Sequence, residues 1–496
     1  MVSRATRLSA GALVWAGFDG LSVPGGLLDA IQRGRIGGLV LFAYRGNIRS
    51  RDQVRGMLRE AVAAARRGGV PPVPVGVDQE GGSVVRIGYG AVFPSAMAIA
   101  ATGDPANAER AARAVGLGLL ADGIAVNHAP VCDINVDPRN PVIGTRSFGD
   151  DPQQVARFAA AWVTGSEGVG VATSAKHFPG HGATSHDTHH TTVDVRADRA
   201  VLEARELVPF RAAIAAGAAT VMSAHIRYPA LDDESIATLS PRILRGVLRD
   251  QLRFNGLVIT DSLDMSGLTQ VETPERVLAR AVNAGVDAVM VTTGIEKQLD
   301  AQEQLALGVA PARLGEAIGR ASGFRDRFGV DVPDASFDDS PGHALALEIA
   351  RASITQIGPP LPQLDGPVRV VMFPPERRSP VEELARLETH FEQVLRERLG
   401  PRLAFSADGS APPTGDGPLV VCTSSAFFDA AQAERAKILL RDGGILCALR
   451  SPYDAALFAN VPALLTYGDV PVSLDALADV LSRRAVPRGT LPVRLS

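Results

Sequence analysis

The segment KHFPGHGATSHDTHHTT, residues 176 to 192, holds His177, His181, His186, His189 and His190, five of the nine histidines in the chain. Imidazoles so concentrated point to proton transfer or metal binding rather than packing, because histidine titrates near neutral pH and is also a common metal ligand. Pro179, Gly180 and Gly182 mark the segment as a loop, and no H-E-x-x-H spacing sets two histidines on one helix face. Acid/base work fits this pattern better than a metal site. Asp187 and His189 are two apart, a spacing at which a carboxylate on a turn hydrogen-bonds an imidazole and holds its tautomer, leaving His189 to protonate a leaving group. A zinc site drawn from His177, His181, His186 and Asp187 is the competing reading of the same residues.

Further candidates stand where apolar runs end. In GLVITDSLDM, Asp261 follows a run suited to burial, and a carboxylate there could attack an anomeric carbon as a retaining glycosidase requires. An aspartate at such a place also serves as a helix cap, a role that Asp264 could take instead. Other runs lead into Asp78-Gln79-Glu80-Gly81-Gly82, Asp133, Lys176-His177 and His225. Ionisable groups at several strand ends describe a polar, sugar-sized pocket.

The elements that must carry these residues form an alternating pattern. Eight apolar, β-branched runs read as strands: residues 12–18, 36–42, 72–78, 124–131, 170–176, 219–226, 256–261 and 287–292. Helical segments separate them. Asp104-Pro105 and Asp151-Pro152 give N-cap signals, and Leu202, Leu207, Phe210 and Ile214 form an apolar stripe over 199–216. The pattern predicts an α/β protein with an N-terminal (β/α)8 TIM barrel over 1–324, a Pro/Asp/Ser/Gly-rich linker over 325–342, and a smaller C-terminal α/β unit over 343–496. In the second unit, strands are expected at 368–373, 418–423, 443–448 and 462–467, with helices at 380–398 and 472–484.

Composition narrows the function. With 46% hydrophobic residues and 496 in all, the chain can build large cores, and its net charge of −4 offers no basic face for nucleic acid. Cys132, Cys422 and Cys447 lie far apart without a CxxC spacing, so they read as small core residues. The apolar patch near the start is broken by Gly17 and Asp19 and lacks a cleavage signal, and no stretch reaches membrane-spanning length. The expected location is the cytoplasm, with neither membrane nor nucleic acid as partner and no cofactor.

DQEGG (78–82), APV-x-D (129–133), KHFPGHG with its Asp-x-His ending (176–189), and TD-x-L-x-M (260–265) occur in one order along the chain. In these four motifs the sequence resembles glycoside hydrolase family 3, and within it the bacterial β-N-acetylglucosaminidases of the NagZ type, over nearly its whole length. The resemblance implies Asp261 as nucleophile, His189 as acid/base and Asp187 as its partner. It places Asp78, Arg86, Arg146, Lys176 and His177 on the hydroxyls of the terminal sugar, and makes Asp133 a supporting carboxylate. It further implies an exo-acting enzyme that uses no metal and releases N-acetylglucosamine from small carbohydrates, peptidoglycan-derived or chitin-derived. Its second domain resembles the α/β sandwich of many family members, with 488–495 as a closing strand. His186 and His190 flank the dyad without an assigned role. A histidine acid does not repel an incoming anion as a carboxylate would, so phosphorolysis is an alternative to hydrolysis. A β-glucosidase and a non-catalytic sugar-binding barrel are further alternatives.

Overall fold

A computed structural model describes residues 9–184, 193–265, 268, 273–375, 379–380, 382, 388–409 and 411–495, the side chains of 274 and 275 apart. Eight parallel strands close into a barrel in sequential order: β1 (Val14–Ala16), β2 (Gly38–Leu41), β3 (Val75–Val77), β4 (Val126–Asn127), β5 (Ala172–Phe178), β6 (Thr220–Ser223), β7 (Leu257–Ser262) and β8 (Ala288–Val291). Val14 of β1 pairs with Val289 of β8, which completes the ring. Each run expected to be a strand overlaps one of the eight, and two of the strands, Ala172–Phe178 and Leu257–Ser262, extend past the expected end. The eight read as near-continuous apolar runs because helices cover the outer face while barrel residues fill the inner one.

The covering helices are α1 (Gly25–Gln32), α2 (Arg51–Arg67), α3 (Ala106–Ala121), α4 (Pro152–Glu167), α5 (Leu207–Ala215), α6 (Arg242–Gln251), α7 (Pro274–Ala284) and α8 (Ile295–Gly308), followed by α9 (Pro311–Phe328). The cap signals act as their residue types require: Asp104 Oδ1 accepts from Ala106 N at 2.9 Å, and Asp151 Oδ1 from Gln154 N at 2.7 Å. Leu202, Leu207 and Phe210 are fully buried, as the stripe demands.

The stretch 329–339 carries no regular element and lies against the barrel, where Arg51 NH1 meets Asp339 at 2.6 Å. After α10 (Ser340–Ser353) comes a six-stranded sheet: β9 (Thr355–Ile357), β10 (Val368–Met372), β11 (Leu403–Ser406), β12 (Leu419–Thr423), β13 (Ile445–Ala448) and β14 (Ala463–Leu465). Its order is β9-β14-β13-β12-β10-β11, with β9 alone antiparallel to its neighbour. Helices Glu388–Leu399, Ala430–Leu440 and Pro471–Leu481 complete this second unit. All three cysteines are free and buried. Among the described residues no helix is long and apolar enough to cross a membrane.

The closing strand expected at 488–495 is absent. That tail runs out of the second unit and onto the barrel: Gly489 N donates to Ile354 O, Thr490 N to Ala101 O, and Arg494 Nε to Asp150. Its apolar residues pack, but its backbone groups find loop and helix partners rather than a sheet edge. On the barrel side, Met97, Ala98 and Ala101 enter the second unit's core, so the two units share an apolar seam.

The rim of the barrel opposite the catalytic candidates is tied by one carboxylate. Asp287, fully buried ahead of β8, accepts from Val258 N of β7 at 3.0 Å, Arg313 at 2.6 Å, Arg249 at 2.5 Å and Arg320 at 3.3 Å. Asp287→Ala removes the counter-charge of buried guanidiniums, so it should lower stability by about 3–5 kcal/mol in urea unfolding. A loss within ~0.5 kcal/mol would show that the cluster contributes no net stability.

Candidate active site

At the carboxyl ends of the strands a cavity of about 350 Å³ opens, lined by Asp78, Arg86, Arg146, Lys176, His177 and Asp261 together with Glu80, His128, His181 and Tyr44. Asp78, Arg86, Arg146, Lys176, His177 and Asp261 therefore converge here although their positions span 78 to 261, whereas the strand-end candidates Asp133 and His225 do not line the cavity. His189 and Asp187, with His186 and His190, lie outside the described residues.

The loop after β3 turns back into a short hairpin, Gln79–Gly81 against Val84–Val85. Gly81 and Gly82 have φ of +93° and +59°, and a Cβ at Gly82 would come within 2.6 Å of Ser95, so both space and conformation require glycine. Gln79 then fixes the hairpin: its Oε1 accepts from the backbone N of Arg86 and Ile87, both at 2.9 Å. Asn127 of β4 bonds the Gln79 backbone through both side-chain atoms. These bonds set where Asp78, Glu80 and Arg86 stand.

The charges form a chain. Lys176 Nζ donates to Asp78 Oδ1 at 2.8 Å and lies 2.6 Å from Glu80 Oε1, and Arg146 grips both Glu80 oxygens at 2.8 Å. Arg86 lies 4.0 Å from the other Asp78 oxygen and places its guanidinium over the Tyr44 ring. Burial by itself would raise the carboxyl pKa values. Lys176 and Arg86 outweigh it at Asp78 and hold that group well below the usual range, while Arg146 and Lys176 bring Glu80 to about 2. The same attraction raises Lys176 against its own burial. These attractions favour the ionised forms of Asp78, Glu80, Lys176 and Arg146.

His177 and His181 hang from a second anchor. Asp133, fully buried, accepts from His177 N at 3.1 Å, His177 Nδ1 at 2.7 Å and His181 N at 2.6 Å. Since a carboxylate accepts, Nδ1 of His177 carries hydrogen and Nε2 is left for the cavity. Asp133 is thus a supporting carboxylate in geometry as well as in sequence. His181 Nδ1 meets Thr184 Oγ1 at 3.0 Å, and burial lowers its pKa to about 4.

Asp261 stands at the end of β7, half-buried, where pairing with β8 shifts register between Ile259 and Ser262. Bulges of this kind re-aim a side chain. Thr260 Oγ1 accepts from Met290 N at 3.0 Å within that irregular stretch. Asp264 ties the following turn to the end of β8, accepting from Thr292 N and Oγ1 and from Thr293 Oγ1, each at 2.8 Å. His225 adds a brace, with Nε2 on Ser262 O at 3.1 Å. No three His, Cys, Asp or Glu side chains form a metal-binding group among the described residues.

Residues 27–318 match the glycosyl hydrolase family 3 N-terminal domain. The chain belongs to glycosyl hydrolase family 3. It is similar to Beta-hexosaminidase from Stenotrophomonas maltophilia strain K279a, 41% identical over 59% of this chain and 87% of the relative. Beta-hexosaminidase A from Pseudoalteromonas piscicida is 29% identical over 96% of this chain and 92% of its own. Among solved structures, a family 3 β-N-acetylglucosaminidase from Paenibacillus sp. strain FPU-7 superposes with a TM-score of 0.91, 32% identity and 99% coverage of both chains.

Within this family 3 site, sequence reasoning passed over Tyr44, His128 and Pro380 and named Glu80 without a role, and all four line the cavity. Glu80 was visible inside DQEGG but its role depends on Arg146, 66 positions away. His128 was legible as a polar residue in an apolar run. Pro380 belongs to the second unit and had no signal.

Acid should destabilise the fold in two stages. Burial lowers the pKa of His128 and His181 to about 4, so from pH 6.5 down to 4 the unfolded chain takes up protons that the folded chain refuses. Glu80, depressed to about 2, contributes stability that is complete above pH 4.5 and lost as pH falls toward 2. Facing His128 are Asp78, Lys176 and Asp261. Urea unfolding between pH 4.5 and 6.5 checks the first stage: His128→Phe should reduce the slope by nearly one proton, or ~1.4 kcal/mol per pH unit. An unchanged slope would show that this imidazole is charged when buried.

Proposed function

We propose that this family 3 protein is a retaining, exo-acting β-N-acetylglucosaminidase in which Asp261 attacks the anomeric carbon and His189, oriented by Asp187, moves the proton. The observation that carries the reading is the convergence of Asp261 with an ionised Asp78–Lys176–Glu80–Arg146 chain in one cavity of about 350 Å³. Such a cavity is closed by the barrel beneath it and suits one terminal sugar. Asp78, Arg86, Arg146, Lys176 and His177 offer it fixed acceptors and donors, matched to hydroxyls that both give and accept hydrogen bonds. The β-hexosaminidase relatives and the Paenibacillus β-N-acetylglucosaminidase support the N-acetylated sugar.

In the first step an Asp261 oxygen bonds to C1 as the C1–O bond to the aglycone breaks, and His189 gives its proton to the departing oxygen. In the second, His189 takes a proton from water, the water oxygen bonds to C1, and the Asp261 carboxylate leaves. Two inversions return the β configuration. Peptidoglycan-derived fragments in the cytoplasm are the substrate class we assign, with chitin-derived disaccharides as the competitor.

A panel of aryl β-N-acetylglucosaminides tests the roles. Asp261→Ala should abolish turnover of every member. His189→Ala should lose about 10²–10⁴-fold on poor leaving groups while retaining activity on good ones, which need no proton. Near-normal rates in both variants would overturn the assignment, and an α anomer as first product by NMR would overturn retention. Sugar 1-phosphate formed in phosphate buffer would assign phosphorolysis. Stoichiometric zinc, with activity lost to a chelator, would assign the metal reading.

A further inference from the structure

We propose that His225 is a positioning residue for the nucleophile: by holding the carbonyl of Ser262 it fixes the end of β7 on which Asp261 stands, and so governs the rate of attack on the anomeric carbon. The inference rests on the glycosidase reading above and deepens it.

The end of β7 needs such a brace. Its ladder with β6 runs from Leu257 opposite Thr220 to Thr260 opposite Ser223 and stops there, one residue before Asp261. On the other side, pairing with β8 shifts register between Ile259 and Ser262. Asp261 therefore stands where regular strand pairing has given out, and its carboxylate is placed by whatever holds it and its neighbour. Ser262 N donates to Asp261 Oδ1 at 2.7 Å, so a movement of Ser262 carries with it a donor that orients the carboxylate.

Ser262 is held from both flanks. Toward β8, Ser262 Oγ lies 3.0 Å from Thr292 Oγ1, and Leu263 N donates to Met290 O at 3.0 Å. Toward β6, His225 Nε2 lies 3.1 Å from Ser262 O. A carbonyl only accepts, so Nε2 carries the hydrogen of this bond. The ring is itself anchored: Nδ1 lies 2.8 Å from Thr238 Oγ1, which is 2.9 Å from Ser223 Oγ at the end of β6. Ser223, Thr238 and His225 thus carry the register of β6 across to Ser262 through side chains, beyond the last backbone rung. All three are buried, at 2% exposure or less.

His225 does not line the cavity, whereas Asp261 and Ser262 do. Its effect must pass through Ser262, and it should leave the hold of the Asp78–Lys176–Glu80–Arg146 chain on the sugar unchanged. Attack on C1 is more sensitive to placement than binding is, because a displacement of about 1 Å at a reacting atom can cost ~100-fold in rate.

Two measurements on wild type, His225→Phe and His225→Gln separate these effects: kcat/KM on 4-nitrophenyl β-N-acetylglucosaminide, which reports the attack step, and the dissociation constant of N-acetylglucosamine by calorimetry. His225→Phe should lower kcat/KM by about 10- to 100-fold and change the dissociation constant by less than about twofold. His225→Gln, whose amide can donate to Ser262 O, should recover part of the lost rate. Thr238→Val, which removes only the hydroxyl behind the ring, should lose about 3- to 10-fold in kcat/KM with the same unchanged affinity, and it carries the comparison if His225→Phe does not fold. Equal losses in rate and affinity overturn the proposal, as do rates within about twofold of wild type or a His225→Gln no faster than a folded His225→Phe. If wild type does not turn over the substrate at all, the glycosidase reading fails first and this inference falls with it.

Discussion

Lys176 carries a full charge with 2% of its side chain exposed, and the arrangement of the barrel mouth follows from how that charge is balanced. It lies between Asp78 and Glu80, and Glu80 in turn shares both oxygens with Arg146. Each ion in the chain is tolerated out of water because the next one compensates it, so none can be removed singly without stranding a neighbour. The consequence is a set of donors and acceptors already fixed before any sugar arrives. Preorganised groups of this kind lose little side-chain freedom when a ligand arrives, which is the physical advantage of ion pairs over free charges at such a mouth.

Such a chain demands accurate strand ends, and the rest of the barrel supplies them. Gln79 and Asn127 lock the β3 hairpin to β4, Asp133 holds the backbone of both His177 and His181, and the register shift before Ser262 sets the end of β7. At the opposite rim Asp287 ties β7 to the arginines of neighbouring helices. The second unit adds rigidity through the seam around Met97 and Ala101, and Pro380 brings it to the edge of the cavity. Asn135 to Tyr453 and Ser95 to Tyr467, at 2.8 and 2.7 Å, are polar bonds across the same junction.

Much of this was legible before any coordinates. The eight strands were visible because a parallel strand buried on both faces leaves an unbroken apolar run, and the polar residues ending those runs marked the rim on which the cavity opens. Asp78, Lys176, His177 and Asp261 were found by that rule alone. Arg86 and Arg146 came from motif resemblance, since neither ends a strand. The tail at 488–495 was misread for an equally physical reason. An alternating apolar segment satisfies a sheet edge or a groove between units equally well, and its partners Ala101 and Asp150 are hundreds of positions away.

By itself, then, the sequence determined the class of fold, the family and the set of ionisable residues at the mouth, because period and strand-end chemistry are local properties of the chain. Only the tertiary structure decided which group meets which: Lys176 with Asp78 across 98 positions, Arg146 with Glu80 across 66, and His128 against Gly76. Those pairings are set by barrel closure, which brings distant strand ends within hydrogen-bond distance, and no local pattern encodes a distance between residues that far apart.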